Sequence, residues 1–115
     1  MLAGPLVSTC IEVVRKPSLE DVRLTLREAS RILHERPCRV SEGSSWILAY
    51  CEDQVLVEAS LERPRGLMEG VPVLALLVRI SGPPSGVYEV ASLILRGLRE
   101  NGIPAELLPG CTRTL

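Results

Sequence analysis

Metal or redox chemistry in this chain would fall to Cys10, Cys38, Cys51 and Cys111 and to the lone histidine, His34. No two of the cysteines stand in Cys-x-x-Cys spacing, which excludes zinc-ribbon and dithiol redox motifs. His34 lies four residues before Cys38, and Cys51 lies thirteen after it. A metal site built from those three would need a helix exit and a hairpin tip to converge. Free, mostly buried thiols are the favoured reading, a disulfide comes next, and the metal site last. A Cys–His nucleophile pair has nothing else to support it. Glu52 and Asp53 are adjacent acids, but at a hairpin tip they are most simply a turn, not a pair of catalytic carboxylates. The sequence therefore names no catalytic residue, no metal ligand and no cofactor.

Gly82-Pro83-Pro84-Ser85-Gly86 is the segment best placed to hold an anion. It hands a strand over to a helix, and a helix N-terminus offers free N–H groups and the positive end of the helix dipole. Gly82, Ser85, Gly86, Val87 and Tyr88 are the candidate ligand-binding residues, with Ser85 expected to cap the helix. The two prolines bring no N–H, so the loop is poorer in donors than a phosphate cradle. Neither dinucleotide-binding nor P-loop spacing is present. A turn followed by an N-cap explains the same residues and is favoured. The segment from Leu77 to Leu108 resembles part of an ACT domain, a small-molecule regulatory module. The likeness lies in a strand, a Gly/Pro loop, an amphipathic helix and an exit at Asn101-Gly102-Ile103. The acidic residue usual before that loop is absent here. The resemblance implies a small regulatory ligand.

Arginines supply the other candidate chemistry. Arg23, Arg27 and Arg31 recur every four residues, a row that can grip phosphates. Glu20, Glu28 and Glu35 stand three or four residues from members of that row, so a solvated ion-pair network is the simpler reading. Arg63 and Arg65, in a Gly/Pro-containing loop, are the better exposed basic pair. These five arginines are the candidate RNA-binding residues. Trp46, Tyr50 and Tyr88 are the only aromatic residues in the chain, so stacking platforms for bases are scarce.

The elements that must position these groups follow from periodicity. Val71 to Ile80 is an almost unbroken apolar run, short enough to be a strand buried on both faces and central in its sheet. A helix over 86–100 follows, ended by Asn101-Gly102 and kept ended by Ile103-Pro104; 105–108 is a short return strand. Earlier, 6–14 reads as a strand. Ser18 with Asp21 three residues on is a capping box, and Leu19, Val22, Leu26, Ala29 and Leu33 form one apolar helix stripe that Pro37 terminates. Cys38-Arg39-Val40 reads as the start of a strand, interrupted by Ser41 to Ser45. Trp46 to Cys51 and Gln54 to Glu62 form a hairpin turning at Glu52-Asp53, with Val55, Val57, Ala59 and Leu61 on its buried side. The spacing from Ser18 to Pro37 equals that from Ser85 to Pro104, an internal echo of two strand–helix–strand units. The expected fold is α+β and ferredoxin-like (βαβ-hairpin-βαβ), one domain with a mostly antiparallel sheet of four to six strands and two helices on one face. Gly97, in mid-helix, implies close approach of another backbone; the sheet beneath is the favoured partner.

Composition limits the function. A net charge of -1 leaves no basic field for non-specific nucleic-acid binding. No apolar run reaches the length of a membrane span, and the N-terminus lacks a signal-peptide pattern, so a cytoplasmic protein is expected. Lys16 is the sole lysine, and Gln54 and Asn101 are the sole carboxamides, which fits a thermophile source. Two helices leave one sheet face bare. Leu56, Leu74, Leu76 and Val78 are the candidate interface residues there, pointing to a homo-oligomer, a dimer above all, or to a protein partner. The expected function is a non-catalytic binding or assembly module; the alternative is an RNA-binding subunit.

Overall fold

The computed structural model describes residues 5–13, 18–62, 75–108 and 113–114. Its elements are β1 (Val7–Val13), α1 (Leu19–His34), β2 (Cys38–Glu42), β3 (Trp46–Cys51), β4 (Leu56–Glu62), β5 (Ala75–Gly82), α2 (Pro84–Glu100), β6 (Ala105–Leu107) and β7 (Arg113–Thr114). The architecture is α+β. One antiparallel sheet runs β2-β3-β4-β5-β1-β6, and β7 pairs the opposite end of β1 from β6. β1 lies between β5 and β6 and is antiparallel to both, so β5, α2 and β6 form a split β-α-β unit around it. The crossover through α1 instead returns at β2, on the far edge, and β2 to β5 follow as a meander of neighbouring strands.

Local chemistry sets the helix ends. The Ser18 hydroxyl accepts from the Asp21 N–H at 3.0 Å, while the Asp21 carboxylate accepts from the Ser18 N–H at 2.9 Å. Two otherwise orphan donors are thereby satisfied. α2 starts differently from expectation. Its N-cap is Pro83, with no side-chain cap, and Pro84 occupies the first turn. A proline there already has helical φ and no N–H to satisfy, so Ser85 sits inside the helix rather than capping it. At the other end Ile103 N–H reaches Leu98 O at 2.9 Å and Gly102 N–H reaches Arg99 O at 3.0 Å. Gly102 has φ +75, the left-handed conformation this closing motif needs.

The core lies between the helices and one face of the sheet. Val22, Leu26, Ile32 and Leu33 of α1 and Val87, Val90, Ile94 and Leu98 of α2 cover Ile11, Val13, Ile47, Val57, Leu76, Val78 and Ile80. β5 is central and its first four residues are all buried. The face each presents is decided by pairing with β1: Leu76 opposes Val13, and Val78 opposes Ile11. Leu76 and Val78 are therefore fully buried under the helices, not on the bare face where the sequence reading put them. An all-apolar run carries no parity signal, so neighbouring strands had to settle it. Leu56 does lie on the bare face, half-buried, and Leu74 falls outside the described residues.

Gly97 faces α1, not the sheet that the sequence favoured as its partner. A Cβ on it would stand 2.6 Å from Glu28 Oε1 and 3.2 Å from Ile32 Cδ1, so the missing side chain lets α1 pack closely on α2.

Candidate functional site

The helix-free face divides into two halves. On β3 the burial alternates without a break, and Trp46, Leu48 and Tyr50 point away from the helices. They are 43%, 44% and 56% exposed, a contiguous apolar stripe. Opposite them on β2, Arg39 faces Tyr50 and Ser41 faces Leu48. On the other flank β4 sets Ser60 beside Trp46, Glu58 beside Leu48 and Leu56 beside Tyr50. A Cβ on Gly43 would run into the Trp46 indole, so the ring lies close against the β2–β3 turn and is held in place. Towards β5 and β1 the same face closes: Leu77 and Ala75 are 6% exposed and Cys10 is fully buried. Among the described strands, the accessible apolar surface of this face is thus the β2–β4 half. The aromatics appear in the sequence reading only as scarce stacking groups; the stripe was missed because β3 is apolar on both faces.

The Gly82–Gly86 loop is occupied from within. Gly82 has φ +143, and a Cβ there would stand 2.6 Å from Gln54 O. A Cβ on Gly86 would meet Val55 Cγ2 at 2.6 Å and Asp53 Oδ2 at 3.2 Å. Both glycines therefore admit the β3–β4 turn against the start of α2. Closed by the Cys51 N–H donating to Val55 O at 2.9 Å, that turn has Glu52, Asp53 and Gln54 at its tip, with Gln54 in the left-handed region at φ +66. It brings the Asp53 carboxylate to the positive end of the helix, where negative charge is favoured. Ser85 and Tyr88 are exposed, and Val87 is buried in the core.

Arg36 ties this corner together, and nothing local in the sequence pointed to it. Its guanidinium donates to Glu89 of α2 at 2.9 Å and to Asp53 at 3.1 Å. The hydrogen bond to Glu89, ahead of that to Asp53, raises the Arg36 pKa despite desolvation. Beside it, Cys38 and Cys51 oppose each other across β2 and β3 and are joined by a disulfide. Cys10 is disulfide-bonded as well, and no cysteine among the described residues is free. The free-thiol reading is thereby corrected: direct cross-strand pairing, invisible in the spacing, brings the sulfurs together. Among the described residues no group of His, Cys, Asp and Glu is arranged to hold a metal. His34 is exposed.

The arginine row of α1 divides too. Arg31 makes a two-pronged pair with Glu28 and a further one with Glu35 at 2.9 Å. Its hydrogen bonding holds the Glu28 carboxyl below the usual carboxylate range. Arg23 and Arg27 are exposed on the helix layer, on the opposite side of the sheet from Trp46 and Tyr50; Arg63 and Arg65 lie outside the described residues. A groove of about 350 Å³ runs between the helices past Arg31, Arg36, Leu93, Arg96 and Glu100. Two of its arginines are already engaged by carboxylates. No described helix is long and apolar enough to cross a membrane. No protein-family model matches this chain, and no curated protein matches it in sequence.

Proposed function

We propose that the chain is a non-catalytic assembly module that docks, through the β2–β4 half of its bare sheet face, onto a second copy of itself. The exposed row Trp46, Leu48 and Tyr50 carries this reading. Large apolar side chains standing together in water favour a partner that removes them from it. Charge favours a copy of the same surface. Arg39 borders the stripe on the β2 side and Glu58 on the β4 side. A two-fold axis running along β3 brings the β2 flank of each subunit over the β4 flank of the other, so each Arg39 approaches a Glu58 of the partner subunit. The ferredoxin-like reading of the fold, the cytoplasmic setting and the thermophile source belong to the same proposal. The first rests on β1 lying between β5 and β6; the last rests on arginine-rich, amide-poor composition.

Light scattering on wild type at roughly tens of micromolar tests it, with burial of about 800 Å² per subunit as the scale of a specific dimer. A dimer is expected, and Leu48→Glu should give a monomer with an unchanged circular dichroism spectrum. Arg39→Glu should weaken the dimer, and adding Glu58→Arg should restore it. A monomeric wild type, or a Leu48→Glu variant that still dimerises, sinks the reading.

One observation favours RNA as the second reading: Trp46 and Tyr50 stand exposed on one face of β3, with Arg39 opposite Tyr50, an arrangement on which unpaired bases stack. Against it, Glu58 adjoins the stripe, and Arg23 and Arg27 face the other way. Quenching of Trp46 fluorescence by single-stranded RNA, where the dimer test fails, would favour this alternative. A small-ligand site at Gly82–Gly86 is less well supported, because the β3–β4 turn already packs against both glycines.

A further inference from the structure

We propose that the Cys38–Cys51 disulfide is a reducible clasp, controlling whether the outer edge of the sheet, the β3–β4 turn and the start of α2 hold together as one body. Among the described residues β2 is the last strand of the sheet, paired with β3 alone. Two residues before Cys38 stands Arg36, and two residues after Cys51 stands Asp53, at 3.1 Å from each other. Arg36 continues to Glu89 on α2 at 2.9 Å. Between them the Glu52 N–H donates to Pro37 O at 3.0 Å. The covalent bond, the backbone hydrogen bond and the two ion pairs thus run as one line from the sheet edge to the helix. Opening the first loosens the constraint that keeps Arg36 and Asp53 in register.

Access and tolerance both suit a reversible bond. Cys38 is half-buried, whereas Cys51 is 1% exposed and Cys10 fully buried. Cys38 is thus the more accessible half of the bond to an external thiolate. Much of the core lies away from the clasp, in Ile11, Val78, Ile80, Val90 and Ile94 of β1, β5 and α2, so the chain can remain folded when the bond opens. The reductant is a dithiol. One of its thiolates attacks Cys38 Sγ, the S–S bond breaks, and Cys51 leaves as a thiolate that takes up a proton. The second dithiol sulfur, deprotonated, then attacks the mixed disulfide. Cys38 is released and protonated, and the dithiol departs as its own disulfide, two electrons having passed to the protein.

The test compares the full chain oxidised, treated with dithiothreitol under native conditions, and reoxidised. Alkylation with peptide mapping should place tags on Cys38 and Cys51 together and none on Cys10. Amide exchange in β2, β3 and the first turn of α2 should then speed up about tenfold or more, while β1 and β5 keep their protection. Reoxidation should restore the original pattern, and Cys38→Ser/Cys51→Ser should reproduce the reduced one. The proposal is overturned if the bond resists dithiothreitol until the chain unfolds. It is equally overturned if exchange does not change on reduction, if protection is lost throughout, or if the double variant exchanges like the oxidised protein.

Discussion

Gly97 of α2 stands directly against Glu28 of α1, with a Cβ at position 97 only 2.6 Å from Glu28 Oε1 and 3.1 Å from its Cγ. Glycine in mid-helix costs about 1 kcal/mol relative to alanine, so the close helix contact must offset at least that. Gly97→Ala is expected to destabilise the protein by about 1 kcal/mol, because Glu28 is tied to Arg31 and cannot simply swing aside. In a Glu28→Ala background the same change should cease to destabilise. Chemical denaturation of the four proteins of that cycle measures the coupling. Additive effects would mean that the two residues do not constrain each other.

The Glu28–Arg31 pair also sets a pH dependence. Arg31 lowers the folded-state pKa of Glu28 below its ordinary value of 4.5, chiefly by hydrogen bonding and secondly by charge, against desolvation. A depressed carboxylate pKa gives stability that is fully present above the unfolded value and lost as pH falls through the folded one. The thermal midpoint should therefore fall below about pH 4.5 more steeply in wild type than in Glu28→Gln. Parallel acid limbs in the two proteins would remove this contribution.

The two helix starts should respond differently to the same substitution. Ser18 caps α1 with a reciprocal hydrogen-bond pair, so Ser18→Ala should cost about 1 kcal/mol. Ser85 lies within α2, exposed and without a capping bond, so Ser85→Ala should change stability by less than about 0.5 kcal/mol. Thermal melts of both variants check this; equal losses would return Ser85 to the capping role.

At the corner where α2 begins, Gly82→Ala should cost roughly 2–3 kcal/mol, since φ +143 strains any side chain and the added Cβ meets backbone at 2.6 Å. Gly86→Ala should cost less, because its neighbours are the side chains of Val55 and Asp53, which can shift. Urea midpoints rank the two. The reverse order would show that the turn, not the glycine backbone, adapts.

Sequence alone determined what is local. The 3.6-residue stripe located α1, with Val22, Leu26, Ala29 and Leu33 buried and Leu19, read into the same stripe, exposed at its first turn; the Ser18–Asp21 box started it, and Gly102 closed α2. Strict alternation in Val55, Val57 and Ala59 assigned the faces of β4 correctly. Each of these signals acts between residues a few positions apart, where backbone geometry fixes the distance. Tertiary structure decided the rest. Leu76 and Leu77 are chemically identical neighbours, and only the register with β1 placed the first under the helices. β3 is apolar on both faces, so its exposed side became visible once α1 and α2 had covered the other. The return of α1 to the far edge, the meeting of Cys38 with Cys51, and the bridging of Asp53 and Glu89 by Arg36 all join positions separated along the chain. No local propensity encodes such contacts; they follow from the one packing that buries both helix stripes at once.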